Sequence, residues 1–491
     1  MTILPDPLLN SLQGIPGFDR GAFEAVHAGG VQVTSVRVNP GKRGEGDGVQ
    51  IGAWPIGAEG LGGEEVGRQR GEEVGRQRGE EVGGQAAVER VLWSSWGHYL
   101  SRRPSFTLDP LLHAGAYYVQ EASSMFLEEV LRQTVDLSRP LRVLDLCAAP
   151  GGKTTLLQSL LSADSLLVSN EVIHNRANIL QENIVKWGAA NVVVTSNDPH
   201  DLGRLENYFD VIVVDAPCSG SGLFRREPEA VREWSPDSVR LCHQRQQRIL
   251  ADSWPALRQD GLLVYSTCSY SREENEDIID WMAEDLGVTT CRLRIPSEWG
   301  IVETASRSGG YGYRFYPDKV RGEGLYMACV RKTGGAAFAA FRKKDRLERV
   351  PGKEEEKLRG WVRADRGLAY FRHAGLIHAI PEALLAELPA LQSACYLRRA
   401  GVPAGKLSVK EFIPEHDLAL SMLADPRTPV VSLSREKALS YLRKDELVQD
   451  TDRRGWVLVQ YAGLNLGWIK ALPGRINNYY PKEWRIRQRD P

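Results

Sequence analysis

The chain has 491 residues, of which 42% are hydrophobic and 25% charged, and its formal net charge is −1. These values are typical of a globular protein with about two to four domains, and they argue neither for nor against a polyanionic partner. No apolar run is long enough for a membrane span, and the N-terminus lacks a secretory signal, which disfavours a membrane or secreted protein. The seven cysteines include no C-x-x-C pair, which disfavours a disulfide framework or a structural zinc site. Together these features indicate a cytoplasmic protein with free thiols.

The N-terminal segment divides into a folded part and an insert. Residues 1–43 contain a predicted helix over 18–27 and an alternating strand over 31–38. From residue 44 to 85 glycine and charged residues dominate, and the unit Glu-Glu-Val-Gly-Arg-Gln-Arg-Gly repeats in tandem. With so few apolar groups it cannot bury a core, so a disordered insert is predicted. A basic RNA-binding arm is the weaker alternative, because glutamates balance the arginines.

Aromatic and apolar residues return over 86–127, which we assign with 1–43 to an N-terminal RNA-binding domain. Arg102 and Arg103 lie among tryptophans and tyrosines, an arrangement that suits single-stranded nucleic acid. Ordinary core packing explains the aromatic residues equally well. A helix over 120–133 is predicted to lead into the next domain.

Strands and helices alternate from residue 141, which predicts a parallel sheet covered by helices on both faces, in a Rossmann-like α/β domain over 128–332. Strands are predicted at 141–146, 166–170, 192–194, 211–214, 262–266 and 325–330, and helices at 154–162, 174–187, 238–257 and 273–286.

The C-terminal third is predicted to contain a linker over 333–356, a small mixed domain over 357–425 and a compact β domain over 426–491. The basic and aromatic tail over 477–489 suits a nucleic-acid surface. A capped domain end with a solvated charged tail is the alternative on composition alone.

Two cysteines follow predicted buried strands. The apolar run 211–214 ends at Asp215, with Cys218 soon after, and Cys268 follows the strand at 262–266. Ligands of open α/β sheets bind beyond the carboxyl ends of the strands, so both thiols are expected at one edge. The alternative, two buried small hydrophobic residues, fits poorly with the polar residues beside each thiol.

A glycine turn follows the first strand of this domain. Gly152, Lys153 and Thr154 match the end of a phosphate-binding loop, but Cys147 stands where the first glycine belongs, so a P-loop NTPase is the weaker interpretation. S-adenosylmethionine needs such a turn and a carboxylate for its ribose. Glu171, after the second strand, suits the ribose, and Asp198, after the third, suits the adenine amino group.

These segments resemble the Sun/Nol1-type family of RNA cytosine-5 methyltransferases. The likeness covers 18–43 and 88–332 and is strongest at 35–40, 117–124, 145–153, 215–220 and 267–269. The run at 117–124 and the tail resemble the bacterial RsmF-type subgroup, which modifies 16S ribosomal RNA and carries a C-terminal PUA-like RNA-binding domain. The insert at 44–85 departs from the family pattern.

The resemblance implies roles for the two thiols. Cytosine C5 is a poor nucleophile until a thiolate adds to C6, which is covalent catalysis. By resemblance Cys268 is the nucleophile, Cys218 assists product release, and Asp215 meets the N3/N4 edge of the base. The sequence alone does not say which cysteine does which.

The remaining expectations follow from the same resemblance. The cofactor is S-adenosylmethionine, the partner is ribosomal RNA or the small ribosomal subunit, no metal or membrane is involved, and the protein is a monomer. A transfer-RNA methyltransferase and an RNA-binding assembly factor with an inert methyltransferase fold are the alternatives. The thiol of Cys147 is expected to be structural, and Lys153 either neutralises a carboxylate or caps the turn. The expected cofactor-binding residues are Cys147, Ala148, Ala149, Pro150, Gly151, Gly152, Lys153, Glu171, Asp198 and Asp215.

Overall fold

The structure is a computed structural model that describes residues 4–30, 32–42, 89–334, 347–446 and 453–489. The insert predicted to be disordered at 44–85 lies outside these ranges. Among the helices in them, none combines the length and the apolar character that crossing a bilayer requires.

The N-terminal region is a small antiparallel sheet with short helices. Its elements are α1 (Asp6–Ser11), α2 (Arg20–Ala28), β1 (Thr34–Val38), β2 (Glu89–Arg90), β3 (Gly97–Leu100), α3 (Pro110–His113) and β4 (Tyr117–Val119). The strand order is β2-β3-β1-β4. Helix α2 begins two residues later than predicted because Asp19 caps it, accepting a hydrogen bond from the Ala22 N–H at 2.9 Å.

The aromatic residues of this region are mainly core residues. Trp93, Tyr99 and Tyr117 are buried, and the Trp93 indole donates to the Ala122 carbonyl at 2.7 Å. Ordinary packing therefore explains these rings, and a stacking surface for bases is not needed to account for them.

The central region contains the largest sheet. Its elements in chain order are α4 (Leu127–Thr134), β5 (Arg142–Asp145), α5 (Gly152–Leu160), β6 (Leu166–Asn170), α6 (His174–Trp187), β7 (Val192–Thr195), α7 (Pro199–Gly203), β8 (Phe209–Asp215), α8 (Glu229–Glu233), α9 (Pro236–Ser253), β9 (Leu257–Thr267), α10 (Glu276–Trp281), β10 (Val288–Thr290), β11 (Val302–Ala305), β12 (Tyr311–Phe315) and β13 (Leu325–Lys332).

The five strands β7, β6, β5, β8 and β9 are mutually parallel, and antiparallel strands extend the sheet beyond β9. Alternate residues of β8 enter two different cores: Val211 and Val213 pack on one face, and Ile212 and Val214 on the other. Burial on both faces explains why this strand is a continuous apolar run, as expected for a parallel sheet under two helix layers.

Several helices differ from their predicted bounds. Helix α4 starts at Leu127 rather than at residue 120, and α5 runs over Gly152–Leu160 rather than 154–162. Two further differences have local reasons. Helix α9 starts at Pro236 because Ser235 and Ser238 form a capping box, and it ends before Pro255. Helix α10 starts at Glu276, three residues later than predicted. The preceding residues form a turn whose side chains point back to the ends of β8 and β9.

The segment after the central region forms a further sheet. Its elements are β14 (Glu348–Arg349), α11 (Gly352–Glu355), β15 (Leu368–His373), β16 (Leu376–Pro381), α12 (Leu388–Ala394), β17 (Leu397–Ala400), β18 (Val402–Leu407), β19 (Phe412–Pro414) and α13 (His416–Leu420). Elements β14 and α11 fall in the segment predicted as a linker. Strand β17 does not join this sheet. It pairs antiparallel with β7 and forms an edge strand of the central sheet.

The last region is a small β unit. It contains β20 (Val430–Ser432), α14 (Arg435–Arg443), β21 (Gly455–Tyr461), β22 (Leu464–Leu472) and β23 (Arg475–Asn478). The tail after β23 is partly core: Tyr480 is 1% exposed, and Ile486 is buried beside it. The apolar residues of the tail therefore close the core, as the capped-end interpretation expects. Arg485 and Arg487 are exposed, so the interpretation as a nucleic-acid surface stays open for them.

Candidate active site

The two cysteines that follow the strands lie side by side. Strands β8 and β9 are parallel neighbours, with Asp215 in register with Ser266. The chain then turns at both ends, and the Sγ atoms of Cys218 and Cys268 are 3.0 Å apart. Both thiols therefore lie at the carboxyl edge of the sheet, where the strand ends predict them.

Asp215 lies beside this pair and is held by two donors. The Ser266 hydroxyl donates to its Oδ1 at 2.7 Å, and the Lys153 Nζ lies 2.8 Å from its Oδ2. The Lys153 side chain is only 10% exposed, whereas that of Asp215 is 38% exposed. The geometry thus favours the first of the two roles considered for Lys153, neutralising a carboxylate, and leaves Asp215 accessible to a ligand.

Lys153 is cationic in this setting. Burial alone would lower its pKa, but the charge and hydrogen bond of Asp215, with further contributions from Asp145 and Cys268, outweigh burial and raise the pKa above its usual value. A fixed positive charge therefore lies where it interacts with the sulfur of Cys268.

Cys218 has different surroundings. The hydrogen bond with Cys268 and burial raise the pKa of Cys218 well above its usual value, and the negative charge of Glu274 adds to the effect. These surroundings therefore favour the protonated thiol at Cys218. The two thiols are adjacent, yet one interacts with a lysine and the other with a carboxylate.

The glycine turn joins β5 to α5 at the same edge. Gly151 has a φ of 116°, a region that favours glycine, and a Cβ there would lie 3.3 Å from the Leu180 Cδ1. The Ala148 N–H donates to the Asn170 carbonyl at 2.8 Å, which ties the turn to the end of β6. The turn is thus fixed, with no side chain at Gly151.

A buried carboxylate lies beneath this turn. The Oδ2 of Asp145 accepts a hydrogen bond from the Thr154 hydroxyl at 2.6 Å, while its buried Oδ1 has no hydrogen-bond partner among the described residues. Burial raises the pKa of Asp145 to about 7, against the lowering effect of Thr154 and Lys153. Burial also raises the pKa of Cys147, which agrees with a structural thiol there.

Glu171 and Asp198 lie in unlike environments. Glu171 is buried at the end of β6, where its Oε1 accepts from the Ile173 N–H at 2.9 Å and its Oε2 lies 3.4 Å from Arg176. Arg176 also donates to the Ala149 carbonyl at 2.8 Å, so it links Glu171 to the turn. Asp198 caps α7 through the His200 N–H at 3.1 Å, and its side chain is 42% exposed. It also lies 3.6 Å from Arg248, and its role at the adenine amino group stays a prediction.

Several residues of this edge were not singled out from the sequence. Glu274 and Gln246 bond to the cysteine loops, Ser266 orients Asp215, and Arg176 orients Glu171. The available signal was the polar run after Cys268, which breaks the helical pattern predicted from residue 273. Among the described residues, no group of three or more His, Cys, Asp or Glu side chains could hold a metal ion.

Comparisons with known proteins match two parts of the chain to described families. A family model described as 16S rRNA methyltransferase RsmB/F matches residues 133–331, and one described as methyltransferase RsmF PUA domain matches 428–486. Two relatives named ribosomal RNA small subunit methyltransferase F, from Salmonella paratyphi A and Salmonella agona, are each 31% identical over 377 residues, which is 75% of this chain and 78% of the relative. A solved methyltransferase homolog from Pyrococcus horikoshii is 26% identical with a TM-score of 0.50, over 67% of this chain and 100% of that chain. The predicted methyltransferase fold and the PUA-like C-terminal domain are confirmed.

Proposed function

We propose, since the chain belongs to the family of 16S rRNA methyltransferases RsmB/F, that it methylates C5 of cytosine in small-subunit ribosomal RNA through a transient bond from Cys268 to C6. The observation that carries the proposal is the 3.0 Å separation of two thiols at the carboxyl edge of the sheet, beside Asp215 and Lys153. Two adjacent thiols suit a reaction that must first attack a ring and later release it.

S-adenosylmethionine is the cofactor, and it supplies the methyl group from its sulfonium. The residues at the glycine turn fit it. The positive φ of Gly151 and the 3.3 Å approach of Leu180 keep the turn without a side chain at this position. The buried Oδ1 of Asp145 is without a partner among the described residues, and Glu171 presents a carboxylate at the end of the next strand. An acidic residue at that place suits ribose hydroxyls.

The first chemical task belongs to Cys268. Its thiolate adds to C6 of cytosine, and the electron pair of the C5–C6 double bond then makes C5 nucleophilic toward the methyl group. Lys153 stabilises negative charge at this sulfur. Asp215, oriented by Ser266, meets the N3/N4 edge of the base and favours a proton at N3, which makes C6 more electrophilic.

The second task belongs to Cys218. After methyl transfer the C5 proton passes to the sulfur of Cys218, while the Cys218 thiol gives its own proton to the sulfur of Cys268. The electron pair of the C5–H bond re-forms the C5–C6 double bond, and the bond from Cys268 to C6 breaks. The sulfur of Cys218 lies 3.0 Å from that of Cys268, so it is close enough to act at C5 while Cys268 is bonded to the adjacent C6. The target base must be unstacked, because both faces of its C5–C6 bond are needed.

A mapping experiment tests the proposed substrate. Bisulfite sequencing of 16S ribosomal RNA from cells with and without the gene should show at least one cytosine that is protected only when the gene is present, and purified protein with S-adenosylmethionine should restore it. Restoration with naked RNA but not with assembled subunits, or the reverse, identifies the natural substrate. Protection restored only in transfer RNA would favour the transfer-RNA alternative, and no protection at all would favour the inert assembly factor.

The C-terminal unit is proposed to supply affinity for RNA. Arg485 and Arg487 are exposed beside the buried tail residues, so they are available to phosphates. Replacing both with alanine should weaken RNA binding and reduce its salt dependence, while turnover at saturating RNA stays the same. Unchanged affinity would contradict this role.

We also propose that the protein acts in the cytoplasm as a monomer. All seven cysteines lie in the described residues as free thiols, which suits a reducing compartment. Light scattering during size-exclusion chromatography should give the mass of one chain, and a dimer mass would contradict the proposal.

A further inference from the structure

Glu274 is a buried carboxylate between the loops that carry the two cysteines. It lies between β9 and α10, and its residue is 0% exposed. A carboxylate so far from water is costly unless its oxygens are hydrogen-bonded, so its partners indicate what it is for.

The partners of Glu274 come from both cysteine loops. Its Oε1 accepts from the Ser219 N–H at 2.8 Å, and its Oε2 accepts from the hydroxyls of Ser219 and Ser269, each at 2.5 Å. Ser219 follows Cys218 directly, and Ser269 follows Cys268. One carboxylate therefore bonds to the residue after each catalytic thiol.

Gln246 completes the arrangement from helix α9. Its Nε2 donates to the Oε1 of Glu274 at 3.1 Å and to the carbonyl of Pro217, the residue before Cys218, at 3.1 Å. Cys218 is thus held on both sides by groups that converge on Glu274. Charge-assisted hydrogen bonds of this kind are about twice as strong as neutral ones, so they fix position well.

The neighbouring polar residues of the same turn have other partners. Asn275 bonds to the Thr267 hydroxyl and the Ser269 carbonyl, within its own segment, and Glu276 pairs with Arg314. Of these three, only Glu274 has hydrogen bonds to the Cys218 loop. Its negative charge also favours a protonated Cys218.

We propose that Glu274 is a positioning residue that sets where Cys218 lies relative to Cys268, and that it thereby governs release of the covalent RNA adduct more than its formation. The inference rests on the proposed function, because it needs an adduct to be released. Formation depends on Cys268, which directly follows β9, whereas release depends on Cys218, which lies three residues beyond β8 on a loop that Glu274 bonds.

Single-turnover kinetics with the full chain test the proposal. Glu274→Gln keeps the shape of the side chain but removes its charge, and its amide group cannot accept all the same donors. With 16S ribosomal RNA and S-adenosylmethionine, adduct formation should remain within about threefold of wild type, while adduct release slows about 10- to 100-fold, as small misplacements of reacting groups do. A protein–RNA band on a denaturing gel should therefore accumulate although Cys218 is present.

Two further variants keep the result interpretable. Glu273→Gln changes the exposed neighbouring carboxylate and should leave both rates at wild-type values. Ser219→Ala removes one of the donors and should slow release in the same direction but less, which tests the network even if Glu274→Gln folds poorly. If both variants slowed adduct formation and adduct release equally, or left the ratio of the two rates unchanged, the inference about Glu274 would be overturned and the proposed function would stand. Wild-type protein without methyl transfer would overturn the proposed function as well.

Discussion

The protein contains two pairs of neighbouring cysteines, and they lie in unlike surroundings. Cys218 and Cys268 follow parallel strands at the carboxyl edge of the sheet, whereas Cys291 and Cys329 face each other across antiparallel strands. In the second pair the Cys291 N–H donates to the Cys329 carbonyl at 2.9 Å, and Cys329 is buried in an apolar core.

What distinguishes the pairs is the set of charged groups around them, rather than the closeness of the thiols. The first pair lies among Lys153, Asp215 and Glu274, each fixed by hydrogen bonds or an ion pair. The second lies between strand backbone and apolar side chains, with Arg331 as a charged neighbour of Cys291 and no carboxylate among the described groups that shift its pKa. Reactive cysteines need such polar neighbours, and buried cysteines in apolar surroundings are inert. Methyl transfer is therefore expected at the first pair alone.

Removing the nucleophile should have the largest effect. Cys268→Ala leaves C6 without an attacking group, so methyl transfer should fall by about 10³-fold or more. The measurement is incorporation of labelled methyl into 16S ribosomal RNA. Cys329→Ala, which alters the other pair, is the matched control. Activity in Cys268→Ala within about tenfold of wild type would mean that Cys268 is not the nucleophile.

Removing the release thiol should leave a different signature. In Cys218→Ala the bond from Cys268 to C6 still forms, but the C5 proton has lost its acceptor, so a protein–RNA adduct should accumulate and turnover should fall about 100-fold. A denaturing gel with labelled RNA detects the adduct. The double variant with Cys268→Ala should show none, and an adduct in Cys268→Ala but not in Cys218→Ala would reverse the two roles.

Loss of the fixed cation should have a smaller effect. Lys153→Met removes the partner of Asp215, so turnover should fall by about 10- to 100-fold with the thiols intact. Because the pKa of Lys153 is raised, this lysine keeps its charge throughout the pH range in which an ordinary lysine titrates. The wild-type rate should therefore not fall in that range through deprotonation of Lys153. Lys353→Met, at an exposed lysine, is the control, and a turnover in Lys153→Met equal to it would contradict the role.

Much of this comparison could be predicted from sequence, and for a physical reason. The apolar run at 211–214 and the polar residues after it indicate a buried parallel strand that ends at a ligand edge, and the structure has β8 there. Helix α6 has the predicted bounds, His174–Trp187, because its apolar positions are periodic and Gly188 ends it in a left-handed conformation.

The contacts between distant segments could not be predicted in this way. Glu274 looked like part of a helix because its neighbours are helix-forming, yet its hydrogen bonds to Ser219 and Ser269 keep it in a turn. The pairing of strand β17 with β7 joins segments about 200 residues apart, so nothing in either segment alone indicates it. Local patterns encode elements, whereas tertiary partners decide the ends of elements and the site.

The smallest expected effect comes from the second cysteine pair, whose chemistry should be visible without affecting catalysis. A hydrogen bond from Cys329 lowers the pKa of Cys291 to about 7. The thiolate fraction of Cys291 should therefore rise about tenfold between pH 6 and pH 8 and then level off, whereas the thiolate fraction of a thiol with an ordinary pKa near 9 would rise about 90-fold over the same interval. Iodoacetamide labelling followed by peptide mass spectrometry measures this profile.

Cys329→Ala should restore the steep profile while methyl transfer stays within about twofold of wild type. A steep profile in the wild type would contradict the lowered pKa, and a large loss of methyl transfer in Cys329→Ala would remove the distinction between the two pairs.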